Sequence, residues 1–254
     1  MSTLGSVMRV GTAALCLVLA GCGGNKSSTQ PAPSAARNLD LVFGDCSSFR
    51  RYAEAFVPEM VTIAETSAAQ RRTLWAGCFD GAPLRTLHWK PKIDFNDLPI
   101  ELRGSARLAA RVNLARALGL KTKLEQMVRS TPTRVPGSGQ LEALELAAHT
   151  EHVGRVFLFT DGVINQIDGV GLDRATLRQI NQVVDRWAPR LAGLKHVELT
   201  FVGVGRGTRS TAGLRRAEAL FRQLAARVGV RSFVWQLELP ADIVAAAHRI
   251  AAAA

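Results

Sequence analysis

The chain has 254 residues, 47% hydrophobic and 21% charged, with 32 Lys and Arg against 21 Asp and Glu for a formal charge of +11. That composition excludes disordered, collagen-like and knottin-like chains, and a chain this long buries roughly 70–75% of its unfolded surface. The charge points to an acidic partner without fixing a fold. The four cysteines, Cys16, Cys22, Cys46 and Cys78, take on meaning only once a compartment is known.

Residues 1–22 supply one. After Arg9 comes an apolar stretch of 11 residues, Val10 to Ala20, the length of a signal-peptide core, whereas a spanning helix needs about 20. It ends in Leu19-Ala20-Gly21-Cys22. This resembles a bacterial lipoprotein signal with its lipobox, which implies removal of 1–21, lipidation of Cys22 and an extracytoplasmic, membrane-anchored protein. A soluble secreted product with Cys22 as an ordinary thiol is the alternative. Residues 22–37 are rich in Gly, Ser, Pro and Thr without periodicity, and read as the lipidated Cys and a flexible tether. Residues 38–254 read as one domain.

In chain order, Leu39-Asp-Leu-Val-Phe-Gly44 predicts a buried strand that ends in a polar turn, Asp45-Cys46-Ser47-Ser48. A helical pattern over about 49–68 contains Pro58, which predicts a kink or a break. Two strand-like runs, 73–79 and 84–89, flank Asp80-Gly-Ala-Pro83 and read as a hairpin. Residues 90–100 read as irregular, and 104–129 as a basic helix broken near Gly119. A helix follows Gly137-Ser138-Gly139, and the clearest strand, 153–159, ends in Thr160-Asp161-Gly162. A helix over about 173–191 places Leu177, Ile180, Val184, Trp187 and Leu191 on one face. A strand over 197–204, a helix carrying Leu214, Ala217, Phe221, Leu224 and Val228, a strand over 232–239 and an Ala-rich terminal helix complete the chain. Strands alternating with amphipathic helices indicate an α/β sheet covered on both faces, and the hairpin predicts one antiparallel edge strand.

Ligands of open α/β sheets bind at the carboxyl ends of the strands. Two strands here end in acids, Asp45 and Asp161. If these strands are neighbours, ~4.8 Å apart, both carboxylates meet above one edge. Two acids with nearby hydroxyls form an oxygen-only donor set, which suits a hard cation such as Mg²⁺.

A strand ending Asp-x-Ser-x-Ser, a later Gly-Gly-Thr loop and a strand ending Thr-Asp-Gly mark the von Willebrand factor type A domain and its metal-ion-dependent adhesion site. Residues 38–254 resemble that family, most specifically at Phe157-Leu-Phe-Thr-Asp-Gly162. The resemblance implies a doubly wound, mostly parallel six-stranded sheet with one antiparallel edge strand and helices on both faces. It also implies a Mg²⁺ or Mn²⁺ ion completed by a partner's acidic side chain. Asp45, Ser47, Ser138 and Asp161 match the motif's ligands. Phe49 stands where the motif has its second Ser, Ser48 lies one place off, and Thr133 is a weaker match than Ser138 for the Thr loop. The site is therefore incomplete.

With Cys16 removed and Cys22 lipidated, Cys46 and Cys78 remain as a pair. In the resembled fold their strands are parallel neighbours, which implies a disulfide at one end of the sheet, in keeping with an oxidising compartment. Three weaker readings stand beside these. Glu145, His149 and His152 offer metal-ligand spacing on a helix, but at its probable end. Gly203-Val-Gly-Arg-Gly207 lacks the spacing of a dinucleotide loop, and Cys46 as a nucleophile competes with the disulfide. Basic residues cluster as Arg103, Arg107, Arg111, Arg116, Lys121 and Lys123, and again as Arg215, Arg216, Arg222, Arg227 and Arg231. They read as solvated faces or as contacts to anionic envelope surfaces. Nucleic acid is not expected, since no aromatic platform interleaves with the arginines.

The expected function is a lipid-anchored, non-enzymatic binding or adhesion module at the cell envelope, with an envelope or extracellular protein as partner. The alternatives are a metal-independent structural component of the envelope and a metal-assisted hydrolase using Asp45 and Asp161.

Overall fold

Leu39–Asp45 (β1) is buried along its whole length, as a central strand with neighbours on both sides requires. Its alternation divides the core. Leu41 and Phe43 face one apolar layer and Val42 faces the other, the period of two that a pleated strand imposes. The computed structural model describes residues 37–46, 54–83, 88–130, 139–164, 166–207 and 211–253. The signal and tether readings, Cys22 included, lie outside them.

Thr73–Phe79 (β2) and Val153–Phe159 (β4) flank β1 in parallel register, with Gly44 opposite Cys78 on one side and Phe159 on the other. Glu198–Val202 (β7) extends the sheet beside β4, and Ser232–Gln236 (β8) lies beside β7, both parallel. His88–Asp94 (β3) runs antiparallel to β2. The order β3-β2-β1-β4-β7-β8 is the doubly wound, mostly parallel six-stranded sheet with one antiparallel edge that the sequence predicts. Gln166–Ile167 (β5) and Val170–Gly171 (β6) form a separate small hairpin.

One face of the sheet packs Val156, Leu158, Leu199 and Phe201 beneath Gln140–Ala148 (α5), Leu177–Trp187 (α6) and Thr211–Val228 (α7). The other packs Leu74, Ala76, Phe157, Phe159 and Val202 beneath Val57–Ala69 (α1) and Leu120–Ser130 (α4). Ile100–Arg103 (α2) leads into Ala106–Leu118 (α3), which lies against α1, and Ala241–Ala253 (α8) covers α1 from another side. All of these elements belong to one compact unit, Ala36–Ala254. Among the described residues no helix is long and apolar enough to cross a membrane.

Several local expectations are sharpened or corrected. The break expected at Pro58 is present, since the α-helix begins at Val57 after a 3-10 turn over Glu54–Phe56; Pro58 stands in its first turn, where its missing N–H is not needed and its fixed φ is already helical. The strand expected at 84–89 is seen as His88–Asp94, sharing 88–89 with the expectation and running on into the stretch read as irregular, while 84–87 lie outside the described residues. Pro91 weakens a strand pattern, but an edge strand tolerates it because one side of its backbone goes unpaired. Leu177, expected on the apolar face of α6, is 72% exposed. It follows the N-cap Thr176, whose capping box with Gln179 sets the first turn, and there the helix has not yet reached the sheet. Leu191, expected on the same helix, is buried beyond its end.

The expected break at Gly119 is present, separating α3 from α4.

Candidate functional site

Pairing of β1 with β4 brings Asp45 and Asp161 to the same carboxyl edge. Asp45 is fully buried at the end of β1, and Asp161 follows β4 by two residues. Thr160 stands between them. Its Oγ1 donates to Asp45 Oδ2 at 3.3 Å and accepts from Gln140 Nε2 at 3.0 Å and from the Gly162 N–H at 3.2 Å. Asp161 Oδ1 accepts from the Val163 N–H at 2.8 Å, a side-chain turn that folds the loop back over the edge. The glycine-rich segment after β7 braces this loop from outside, with the Gly205 N–H donating to the Asp161 carbonyl at 2.8 Å.

Two glycines are required by close approach. A Cβ on Gly139 would lie 2.2 Å from Pro83 Cδ, and one on Gly162 (φ +74°) would lie 2.9 Å from the Trp235 ring. Gly139 precedes α5 and donates its N–H to the Asp80 carbonyl at 3.1 Å, which fixes the start of that helix against the turn after β2. Gln140, the first residue of α5, is thereby sunk into the site at 1% exposure. Its Nε2 reaches Thr160, while its Oε1 is buried without a hydrogen-bond partner among the described residues.

The electrostatics are those of a crowded anionic site. Burial pushes the Asp161 carboxyl up to about 6, with the charge of Asp45 adding to the rise and the Val163 N–H opposing it. Two acids, a threonine hydroxyl and an orphaned amide oxygen form a hard-oxygen donor set, which fits a divalent ion of the Mg²⁺ class. Of the predicted ligands, the structure brings Asp45 and Asp161 together, while Ser47 and Ser138 lie outside the described residues, as do Ser48, Phe49 and Thr133. Gln140 and Thr160 are the site residues that sequence reading missed. Thr160 sat within the recognised Thr-Asp-Gly run, whereas a single amide at a helix start carries no motif.

Cys46 and Cys78 form a disulfide with Cα atoms 5.5 Å apart. It lies next to Asp45 and ties the turn after β1 to β2, where the Cys46 N–H also donates to the Phe79 carbonyl at 2.8 Å. This accounts for both sulfurs and removes the nucleophile reading. The metal face imagined on Glu145, His149 and His152 does not assemble. The Glu145 carboxylate is held by Arg190, and His149 Nδ1 lies 2.8 Å from the Glu145 carbonyl. Among the described residues no group of three or more His, Cys, Asp and Glu side chains forms a metal cluster. A separate cleft of about 550 Å³ opens at the opposite end of the sheet, lined by Trp75, Lys92, Asp94, His149 and His152. Lys92 Nζ covers its Trp75 ring at 4.1 Å.

No family model matches the chain. No curated protein matches it either. Among solved structures it is similar to the pilus adhesin SpaC from Lactobacillus rhamnosus GG. The open conformation aligns at 12% identity and a TM-score of 0.37, covering 87% of this chain and 30% of the adhesin. A second form aligns at 10% identity and a TM-score of 0.42, covering 86% and 30%. The chain thus spans less than a third of the adhesin's length. A likeness this distant assigns neither partner nor activity.

Proposed function

We propose that the protein is a non-catalytic binding module of the cell envelope whose carboxyl edge holds a divalent cation, Mg²⁺ or Mn²⁺. The observation that carries this reading is the meeting of Asp45 and Asp161 at one carboxyl edge, two carboxylates whose charges oppose each other, with the Thr160 hydroxyl bonded to the first of them. Asp45, Ser47 and Ser138 are the residues proposed to bind the ion directly, with Asp161 touching it through water. A bound ion supplies a Lewis-acidic position at which a partner's carboxylate completes the shell. In this chain Thr160 and Gln140 hold the Asp45 carboxylate in place, and the Gly203–Gly205 segment fixes the Asp161 loop.

The disulfide supports an oxidising, extracytoplasmic location. Anchoring through a lipid on Cys22 belongs to the same proposal and rests on the lipobox. A metal-independent assembly role is the second reading, favoured by Phe49 where the resembled motif has a hydroxyl ligand. Cross-linking capture from the native envelope separates the two. A partner lost both on chelation and with Asp161→Ala supports the cation site. A partner retained under both conditions, yet released by salt, supports the second reading.

A further inference from the structure

The two basic clusters are built differently. On and after α7, Arg222 pairs with Glu218 at 2.8 Å, Arg227 with Asp185 at 3.0 Å and Arg231 with Glu198 at 3.4 Å. Arg216 donates to the Asp173 carbonyl. That surface is largely neutralised by its own acids. Residues 100–130 carry seven basic side chains and only two acids, Glu101 and Glu125. Arg116 is occupied with the carbonyls of Asp94 and Asp97, and Arg129 faces Glu54 at 3.7 Å. Arg107, Arg111, Lys121 and Lys123 are exposed and make no ion pair among the described residues.

Apolar side chains share that surface. Ile100 is 77% exposed, Leu118 52% and Leu108 43%, three of the five large exposed apolar residues found among the described ones. At the helical repeat, Arg107, Leu108, Arg111, Ala115 and Leu118 fall within an arc of roughly 120°. Opposite lies the arc of Ala109, Asn113 and Ala117 that α3 buries. Single exposed aliphatics are ordinary on a protein surface, but here Leu108 and Leu118 share one helical arc with the unneutralised Arg107 and Arg111. The combination suits a bilayer surface, where cations meet lipid phosphates and aliphatic side chains enter the headgroup boundary.

We propose that the exposed face of α3 docks on an anionic bilayer, with Leu108 and Leu118 inserted and Arg107 and Arg111 on the phosphates, while Lys121 and Lys123 of the following helix add to the positive charge of the segment. The contact is independent of the cation site and of any lipid on Cys22. It goes beyond the binding-module reading, and chelator keeps the two tests apart.

The test uses the compact unit Ala36–Ala254, which holds every described element and both core layers and lacks the apolar leader and Cys22. In chelator, it is sedimented with vesicles of phosphatidylcholine alone and of three parts phosphatidylcholine to one part phosphatidylglycerol. Partition onto the anionic vesicles only is expected. The Arg107→Glu/Arg111→Glu pair should weaken it about thirtyfold, and Leu108→Ser/Leu118→Ser should weaken it with the charge unchanged. Arg107→Lys/Arg111→Lys should retain it. Circular dichroism verifies that each variant is folded. No partition of the parent unit, or folded Arg107→Glu/Arg111→Glu partitioning like the parent, overturns the proposal. So does binding to soluble polyglutamate together with indifference to the leucine pair, which would mark an acidic polypeptide as the occupant.

Discussion

Strand β1 carries a buried carboxylate near each end, and the two are treated in opposite ways. Near its start, Asp40 is fully buried and accepts from Ser67 Oγ at 2.7 Å, Arg72 Nε at 2.7 Å and Arg155 Nε at 2.9 Å. Two guanidiniums from neighbouring strand ends and a hydroxyl from α1 satisfy it within the fold. At the other end, Asp45 faces Asp161, and the strongest charge Asp161 feels is of its own sign. A carboxylate whose countercharge is built in serves the structure. Two carboxylates pressed together by the strand order repel each other, and positive charge brought to that edge relieves the repulsion. The difference separates an acid neutralised within the fold from the pair proposed to hold a cation.

Breaking the first end should have the largest effect. Asp40→Ala leaves Arg72 and Arg155, both mostly buried, without their partner, and is expected to cost about 3–5 kcal/mol in denaturant unfolding. Next comes the disulfide, which closes a loop of sequence separation 32. Replacing Cys46 and Cys78 together by Ala should cost about 2–4 kcal/mol, and should also weaken any cation binding, because the turn after Asp45 loses its tie to β2.

The third effect has the opposite sign. The folded protein raises the Asp161 carboxyl from the ordinary 3.8 to about 6, so the native state holds its proton more tightly than the unfolded chain does. Stability linked to Asp161 is therefore fully present below about pH 4 and is lost as pH rises through 6. Asp161→Asn should stabilise the chelator-treated protein at pH 7 by about 1–2 kcal/mol after allowance for solvent screening. That gain, read as a shift in Tm, should vanish near pH 4. A destabilised Asn variant at pH 7 would mean that the pair is already compensated. The smallest effect is expected at Leu177, where Leu177→Ser on the exposed first turn of α6 should change stability by less than about 0.5 kcal/mol.

The same contrast shows how far the sequence could be read. The strands β1 and β4 and the acids at their ends were legible because unbroken apolar runs ending in acid-bearing turns identify central parallel strands. Their adjacency followed from the resemblance. The Asp40 cluster was not legible, since Arg72 and Arg155 come from distant segments and no spacing announces a tertiary ion pair. Gln140 was missed for the same reason, its role being set by the close fit of Gly139 against Pro83. The continuation of edge strand β3 past residue 89 was missed because Lys-Pro-Lys contradicts a strand pattern locally, and only pairing with β2 overrides that preference. Leu177 satisfied the helical period, but periodicity does not say where the sheet stops.

The central proposal is that the paired carboxylates of the Asp45–Asp161 edge bind a divalent cation. Calorimetric titration of the chelator-stripped protein with Mg²⁺ and with Mn²⁺, in parallel with Asp161→Ala, tests it most directly. Saturable binding near one ion per chain, lost or strongly weakened in the variant, is the predicted result. Equal silence from both folded proteins, or equal binding by both, would contradict it.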